Sequence, residues 1–244
     1  MLRRVIGLAA LVGAGVVGYR VVVEPWWRTW GVAPGEGDMP LPGDDVVPDG
    51  RTADTRGITI DAPPEQVWPW LVQMGYGRAG WYSYDRIDMD GASADEILAE
   101  HQALAIGDVV PTHPGGGFVV RALDPGGHLV LYLDAELTRQ QAEQAGAVDA
   151  TPANLKLAGA FMEGAQPSDY AASWAFVLEP LEGRRTRLIE RFRVRFGTSD
   201  RPWMRFTMPL MGFGVFIMMR RQMLGIRERA ERTAAGPTPV SIAA

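Results

Sequence analysis

Residues 55–85 read TRGITIDAPPEQVWPWLVQMGYGRAGWYSYD, and this stretch decides the fold of the chain. Apolar and polar residues alternate over Thr55–Ile60, which predicts a β-strand. A sharp corner is predicted next, because Asp61 suits the N-cap of a helix and the prolines that follow suit its first turn. Apolar residues then share one helical face from Val67 to Met74, so the stretch predicts a strand followed by an amphipathic helix.

An aromatic segment, Trp81–Asp85, follows the glycines that end this helix. Large rings with polar tips line ligand pockets well, because they combine apolar area with a directed hydrogen bond. Tyr84 and Asp85 could therefore orient a polar group of a ligand. The alternative is a core strand or turn whose hydroxyl groups are satisfied within the protein.

The composition is that of a globular protein with a substantial core: 244 residues, of which 47% are hydrophobic and 22% charged. The net charge of -5 gives no basic field for nucleic acid, so no nucleic-acid partner is expected. The chain has no cysteine, which excludes disulfides, thiolate nucleophiles and cysteine-ligated zinc.

Residues 1–24 are predicted to form an N-terminal membrane anchor. Arg3 and Arg4 precede an apolar run from Val5 to Val23, and this run has about the 20 residues that a spanning helix needs, with Arg20 reaching the interface. Tryptophans at 26, 27 and 30 follow, as in the aromatic belt at a membrane surface. A cleaved signal peptide and a core helix are the two alternatives.

The predicted location is a single-pass membrane protein. The arginines at positions 3 and 4 favour a cytoplasmic N-terminus, which would put the main domain outside the cytoplasm. Residues 25–54 are predicted to be an aromatic and Pro/Gly-rich linker, because they lack apolar periodicity. The alternative is that Leu41–Asp45 packs on the surface of the domain.

The main domain is predicted to span residues 55–232. Further strands are predicted at 106–112, 118–123, 129–133, 173–180 and 187–196, with hairpin turns at 124–127 and 182–185. A short helix is predicted at 93–99, with Ser93 as its cap. Residues 134–169 interrupt the strand pattern and predict a helical insertion. A long core helix is predicted at 203–232, and the alternative for its apolar part, Phe206–Met219, is a second contact with the membrane. A disordered tail is predicted at 233–244.

The segments Ile58–Leu71 and Met219–Glu231 resemble the opening and the end of the START-like superfamily, also called SRPBCC or the polyketide cyclase/dehydrase and lipid transport superfamily. Residues 77–85 and 174–180 look like a membrane-anchored bacterial branch of it. The resemblance covers about residues 41–232. It implies an α+β helix-grip fold, in which a curved antiparallel sheet holds the long C-terminal helix with an apolar cavity between them.

No motif in the sequence names a reaction. The three histidines have no metal-site spacing, no Gly-x-Ser-x-Gly elbow occurs, and the glycines at 115–117 lack the context of a phosphate loop. No metal and no cofactor are therefore predicted.

Charged residues on two predicted strands are the remaining candidates. On the last strand Glu190 shares the apolar face with Leu188 and Phe192, whereas Ile189, Arg191 and the later arginines share a face predicted to be wet. Arg121 or Arg191 would need a partner if it pointed inward, and Glu190 and Glu163 are candidates. The predicted ligand-binding residues are Trp70, Trp81, Tyr82, Tyr84, Asp85, Phe118, Arg121, Trp174, Phe176 and Glu190.

Three functions follow from these patterns. The first is a membrane-anchored START-like domain that binds a hydrophobic small molecule or lipid in an internal cavity. The second is a cyclase- or dehydratase-type enzyme that uses Tyr84, Asp85 or Glu190 as acid or base. The third is a non-catalytic interaction protein with a collapsed cavity.

Overall fold

The computed structural model describes residues 7, 11, 13–50, 52–88, 91–145, 169–197 and 204–236. Its strands are β1 (Thr52–Ile60), β2 (Val109–His113), β3 (Gly116–Asp124), β4 (His128–Asp134), β5 (Tyr170–Leu181) and β6 (Arg185–Phe196). Its helices are α1 (Glu24–Arg28), α2 (Pro64–Val72), α3 (Asp85–Asp88), α4 (Ala135–Ala145) and α5 (Met204–Ala235). A π-helix, Tyr19–Val23, precedes α1.

The six strands form one antiparallel sheet in the order β1-β6-β5-β4-β3-β2. Tight turns at the predicted positions join β3 to β4 and β5 to β6, so both hairpin predictions are confirmed. The first strand pairs with the last, and this pairing sets Arg56 opposite Glu190. Every predicted strand is present, with its ends within about three residues of the predicted ends.

The C-terminal helix α5 packs across the concave face of the sheet and against α2. Met219, Met223, Ile226 and Ala230 recur on its buried side at three- and four-residue steps. This arrangement is a helix grip, so the predicted α+β fold class is confirmed. Among the described helices, none has both the length and the hydropathy needed to cross a bilayer. Residues 1–6, 8–10 and 12 of the predicted anchor lie outside the described residues, as do 237–244 of the predicted tail.

The tryptophans that follow the predicted anchor pack against α5. Phe216 lies 5.5 Å from Trp26, 6.1 Å from Trp27 and 6.3 Å from Trp30, measured between ring centroids. Trp27 is buried, whereas Trp26 is 55% exposed. The prediction that all three tryptophans lie at a membrane surface is therefore wrong for Trp27, because its side chain is buried in the core.

Residues 31–50 lie against the outer face of the sheet. Leu41–Asp45 therefore packs on the domain, as the alternative prediction for these five residues has it. Leu41 is buried with Val177 and Ile189. The guanidinium of Arg191 donates to the carbonyl oxygens of three residues in this segment and to the Asp44 carboxylate. The prediction that the Arg191 face of β6 is wet is wrong, because this segment covers it.

Two further local predictions have different outcomes. The insertion begins with helix α4, so the helix predicted for its first part is present. Residues 146–168, including Glu163, lie outside the described residues. The helix predicted at 93–99 is wrong, and only a 3₁₀ turn, Ala99–His101, forms nearby. Ser93 is buried and bonds to Asp85 and Tyr82 instead of capping a helix.

Candidate functional site

Five aromatic side chains meet on the concave face of the sheet, and we call them the aromatic cluster: Trp81, Phe118, Trp174, Phe176 and Phe192. Trp81 stacks on Trp174 with ring centroids 5.5 Å apart and an interplanar angle of 19°. Phe118, Phe176 and Phe192 surround Trp174 at 5.6, 5.0 and 6.3 Å. Offset and edge-on contacts at these distances add to the free energy gained from burying the rings.

These rings fill the centre of the space that the resemblance assigns to an open cavity. Trp81 and Trp174 are each only 6% exposed and Phe176 is fully buried. The packing loosens toward one end of the sheet, where the half-buried side chains of Leu133, Phe192 and Val194 adjoin the core. This partly uncovered apolar surface, which we call the open end, is the available part of the concave face.

Glu190 lies beneath the aromatic cluster and is fully buried. The indole N–H of Trp174 donates to its Oε1 over 2.7 Å. Its Oε2 has no hydrogen-bond partner and lies 3.7 Å from Nη1 of Arg56. A charge removed from water in this way needs a partner, and Arg56 supplies it from the neighbouring strand.

Arg56 is the centre of a set of buried charges that the sequence analysis missed. Its Nη2 lies 3.2 Å from Asp54, its Nε donates to the carbonyl oxygen of Trp27, and its Nη1 lies 3.1 Å from the Met219 sulfur. The guanidinium also faces the ring of Phe216 at 5.5 Å. Arg56 therefore ties β1 to both helices that flank it.

The charges continue from the core to the helical stretch 13–28, which ends with α1 and which we call the N-terminal helix. Asp54 accepts from Arg28 over 2.9 Å, Arg28 pairs with Glu24 at 2.8 Å, and Glu24 pairs with Arg20 at 3.0 Å. Signs alternate along the whole row from Arg20 to Glu190. The signal in the sequence was the pair of charged residues, Asp54 and Arg56, on the same strand face as Ile58 and Ile60.

Burial shifts the pKa of both inner carboxyl groups upward. For Glu190 the main cause of the raised pKa is desolvation, which the positive charge of Arg56 and the Trp174 N–H oppose. For Asp54 desolvation again raises the pKa, against the charges of Arg56 and Arg28. Asp54 has a second cation in Arg28, whereas Arg56 is the cation beside Glu190, so Glu190 is the less compensated of the two carboxyl groups.

The loop that presents Trp81 is held by polar contacts to its neighbours. The amide of Gln73 donates to the Tyr82 hydroxyl over 2.9 Å, and burial raises the pKa of that hydroxyl. Tyr82 has φ of 57°, a left-handed conformation that is uncommon outside glycine. Its backbone N–H donates to Ser93, whose hydroxyl donates to Asp85 over 2.5 Å. Asp85 thus supports the loop.

The ten predicted ligand-binding residues fall into three groups: seven are buried, two are exposed, and Asp85 is partly buried. Seven are buried inside the domain: Trp70, Trp81, Tyr82, Phe118, Trp174, Phe176 and Glu190. Tyr84 is 42% exposed and Arg121 is also exposed, so neither lines the interior. The three groups proposed for acid–base chemistry are not brought together, because Tyr84 faces solvent, Asp85 bonds to Ser93 and Glu190 is buried under Trp174.

Two other candidate sites are weak. Within the described ranges, no cluster of three or more histidine and carboxylate side chains could hold a metal ion. A shallow recess of about 340 Å³ lies on the outer surface, lined by Asp95, Arg229, Arg232, Thr233 and Gly236. Its charges pair with one another, since both arginines contact Asp95. The aromatic cluster and the open end remain the candidate site.

Comparisons with solved structures found several proteins of low similarity to this chain. Among solved structures, an aromatase/cyclase from a Streptomyces species is 11% identical, covering 76% of this chain and 98% of its own, with a TM-score of 0.34. A Polyketide_cyc-like protein from Corynebacterium glutamicum is 14% identical, covering 74% and 90%, with a TM-score of 0.27. A protein from Mesorhizobium loti is 16% identical, covering 73% and 98%, with a TM-score of 0.35. No family model and no curated protein matches the chain.

These scores are too low to support an argument about function. The strand order and the helix across the concave face carry the assignment by themselves. The chain has a helix-grip fold. Because one fold hosts many functions, the helix grip leaves the activity to be argued from the aromatic cluster, the open end and the charges beside them.

Proposed function

We propose that this protein is a membrane-anchored helix-grip domain that binds a hydrophobic small molecule or lipid between its sheet and α5. One observation carries the proposal: the apolar side chains of the open end, Leu133, Phe192 and Val194, are only half buried on a concave face whose centre is packed with rings. Apolar surface in a concavity is covered favourably by an apolar ligand.

The size of the effect fits a specific ligand. Burying apolar surface contributes about 25 cal/mol per Å², so each 100 Å² or so that a ligand covers at the open end would contribute about 2.5 kcal/mol. Part of this is offset by the loss of translational and rotational freedom on binding. Ring systems or acyl chains lying against Phe192 suit this surface, because its ring offers a flat apolar face.

Membrane attachment is supported by the N-terminal sequence and by the described part of its helix. Val17, Val21 and Val22 are 61%, 68% and 66% exposed, so this helix leaves an apolar surface uncovered. This helix lies at the same end of the fold as the open end. Arg28 of the N-terminal helix bonds to Asp54 of β1, and Asp54 is paired with Phe192 of β6. This proximity supports a ligand taken from the bilayer.

Native mass spectrometry of the full chain released from lipid nanodiscs tests the binding proposal. We expect a tightly held apolar molecule on the wild-type protein and its loss in Leu133→Glu, which places a charge at the open end. Ile106→Glu is the matched control, since Ile106 is 66% exposed in a turn before β2. The proposal fails if the wild-type protein carries no such molecule, or if Leu133→Glu retains it as well as Ile106→Glu does.

A further inference from the structure

We propose that the first half of α5 makes a second contact with the bilayer, through an exposed apolar arc formed by Gly214, Val215 and Ile217. We call these three residues the α5 arc. This inference rests on the proposed membrane anchor and adds to it a surface of the folded domain. It fixes which side of the domain faces the lipid.

The α5 arc is an uncovered apolar side of a helix. Successive residues of an α-helix are about 100° apart, so Ile217 and Val215 flank buried Phe216 and Gly214 lies opposite it. Val215 is 42% exposed, Ile217 is 41% exposed and Gly214 is also exposed. The side of α5 that faces away from the protein at this level is therefore wholly apolar.

Aromatic contacts hold this level of α5 beside the end of the anchor. Phe216 touches the rings of Trp26, Trp27 and Trp30. Gly212 lies so close to Trp27 that an added Cβ would come within 2.7 Å of its ring. The two helices are thus in direct contact and their relative height is fixed.

This contact sets the depth of the α5 arc. The apolar run of the anchor ends at Val23, and Trp26 lies about 4.5 Å further along at 1.5 Å per residue. Trp26 then meets Phe216 with ring centroids 5.5 Å apart. If residues 5–23 cross the bilayer, the α5 arc must lie within about 10 Å of the membrane surface, at the depth that interfacial helices occupy.

The sequence around the arc fits a bilayer as its occupant. Residues 206–219 carry no charge, and this run of about 21 Å is shorter than the roughly 30 Å hydrocarbon core, so it suits lying in the interface better than spanning it. Exposed Arg220 follows at once, with its guanidinium over the Trp30 ring at 4.9 Å. An arginine at this boundary can reach lipid phosphates while its stem covers apolar surface.

Single-cysteine labelling tests the inference cleanly, because the natural chain has no cysteine. The full-length protein is reconstituted into vesicles of phosphatidylcholine and phosphatidylglycerol that contain doxyl-labelled lipid. A fluorophore is attached at Val215→Cys or Ile217→Cys, with Val17→Cys as the anchor reference and Ile106→Cys as the exposed control. For a site lying in the interface we expect about threefold or greater quenching relative to the Ile106 site.

The outcomes separate the inference from the anchor on which it rests. Quenching at Val215 and Ile217 equal to that at Ile106, with Val17 strongly quenched, overturns the second contact and leaves the anchor standing. Absence of quenching at Val17 as well overturns both. Fluorophores that are shielded from water but not quenched by lipid, together with cysteine cross-linked dimers, would assign the α5 arc to a second copy of the chain and would also overturn the inference.

Discussion

Arg56 of β1 and Glu190 of β6 are paired on neighbouring strands, with Nη1 and Oε2 3.7 Å apart and both side chains buried. Arg56 also pairs with Asp54 on its own strand. The two carboxyl groups therefore share one guanidinium, at the point where the N-terminal helix, α5 and the aromatic cluster meet. Removing the cation should therefore lower the free energy of unfolding by a different amount from removing one carboxylate.

We expect Arg56→Met to cost more stability than Glu190→Gln. Loss of Arg56 leaves Glu190 and Asp54 buried without this cation, which should lower the free energy of unfolding by about 3–5 kcal/mol. A glutamine at 190 still accepts from the Trp174 indole, and Arg56 keeps Asp54, so the loss should be about 1 kcal/mol. Urea unfolding of the full chain in detergent measures both, with exposed Arg185→Met as control. Equal losses would contradict this assignment of partners.

The raised pKa of Glu190 predicts how stability depends on pH. The native carboxyl group holds its proton to a higher pH than the unfolded one, whose pKa is about 4.3. The native state therefore binds more protons in this window, and its stability falls as pH rises from the unfolded pKa through the raised native pKa. Glu190→Gln removes that contribution, so the free energy of unfolding of the variant should increase relative to that of the wild type as pH rises.

Glu228→Gln is the control of opposite sign for the pH experiment. A hydrogen bond from Arg221 lowers the pKa of Glu228, so its contribution to stability is present above the unfolded pKa and is lost as pH falls through the native one. The effect should be small, because the pair lies at the surface. If the free energy of unfolding of Glu190→Gln fell relative to that of the wild type as pH rose, Glu190 would be charged and well paired, against this prediction.

Arg191 should hold residues 31–50 against the sheet. Its guanidinium donates to the carbonyl oxygens of Glu36, Gly37 and Met39 over 2.8–3.0 Å, and to Asp44 over 2.7 Å. Lysine keeps the charge but cannot bridge these acceptors, so Arg191→Lys should cost about 2–3 kcal/mol. Hydrogen exchange should rise across residues 31–50. Arg185→Lys, at an exposed hairpin, should leave exchange there unchanged, and equal exchange in both variants would refute the role of Arg191.

Gly212 and Gly214, two residues apart and on nearly opposite sides of α5, make a matched pair for the contact with Trp27. A Cβ at Gly212 would lie 2.7 Å from the Trp27 ring, whereas one at Gly214 would meet nothing within 4 Å. We expect Gly212→Ala to lower the free energy of unfolding by about 1–3 kcal/mol. Gly214→Ala should be neutral or stabilising by up to about 1 kcal/mol, because alanine favours helix. Thermal unfolding compares the two, and equal effects would place α5 further from Trp27.

Local patterns predicted much of the architecture. Alternation over Thr55–Ile60 and over 187–196 depends only on neighbouring residues, so both strands were found. The hairpin turns were found for the same reason, since their glycines and prolines act within four residues. The fold class then followed from the order of the elements.

The features that could not be predicted from the sequence depend on contacts between residues that are far apart in the chain. Arg56 meets Glu190 only through the register of β1 against β6, across more than a hundred residues of chain. Arg121 lies where the register of β3 against β4 shifts, between Val120 and Ala122, so strand alternation could not fix its direction. Residues 31–50 have no periodic pattern, because backbone carbonyl groups bonded to arginines hold them to the sheet.

The central claim, an apolar ligand at the open end, is tested most directly by photolabelling the full chain in nanodiscs with a small hydrophobic aryl diazirine and mapping the modified residues. We expect label on the inner face of the sheet, at Leu133, Phe192 and Val194, in addition to label on the exposed valines of the N-terminal helix. Label confined to the N-terminal helix and α5, with none on these three residues, would contradict it.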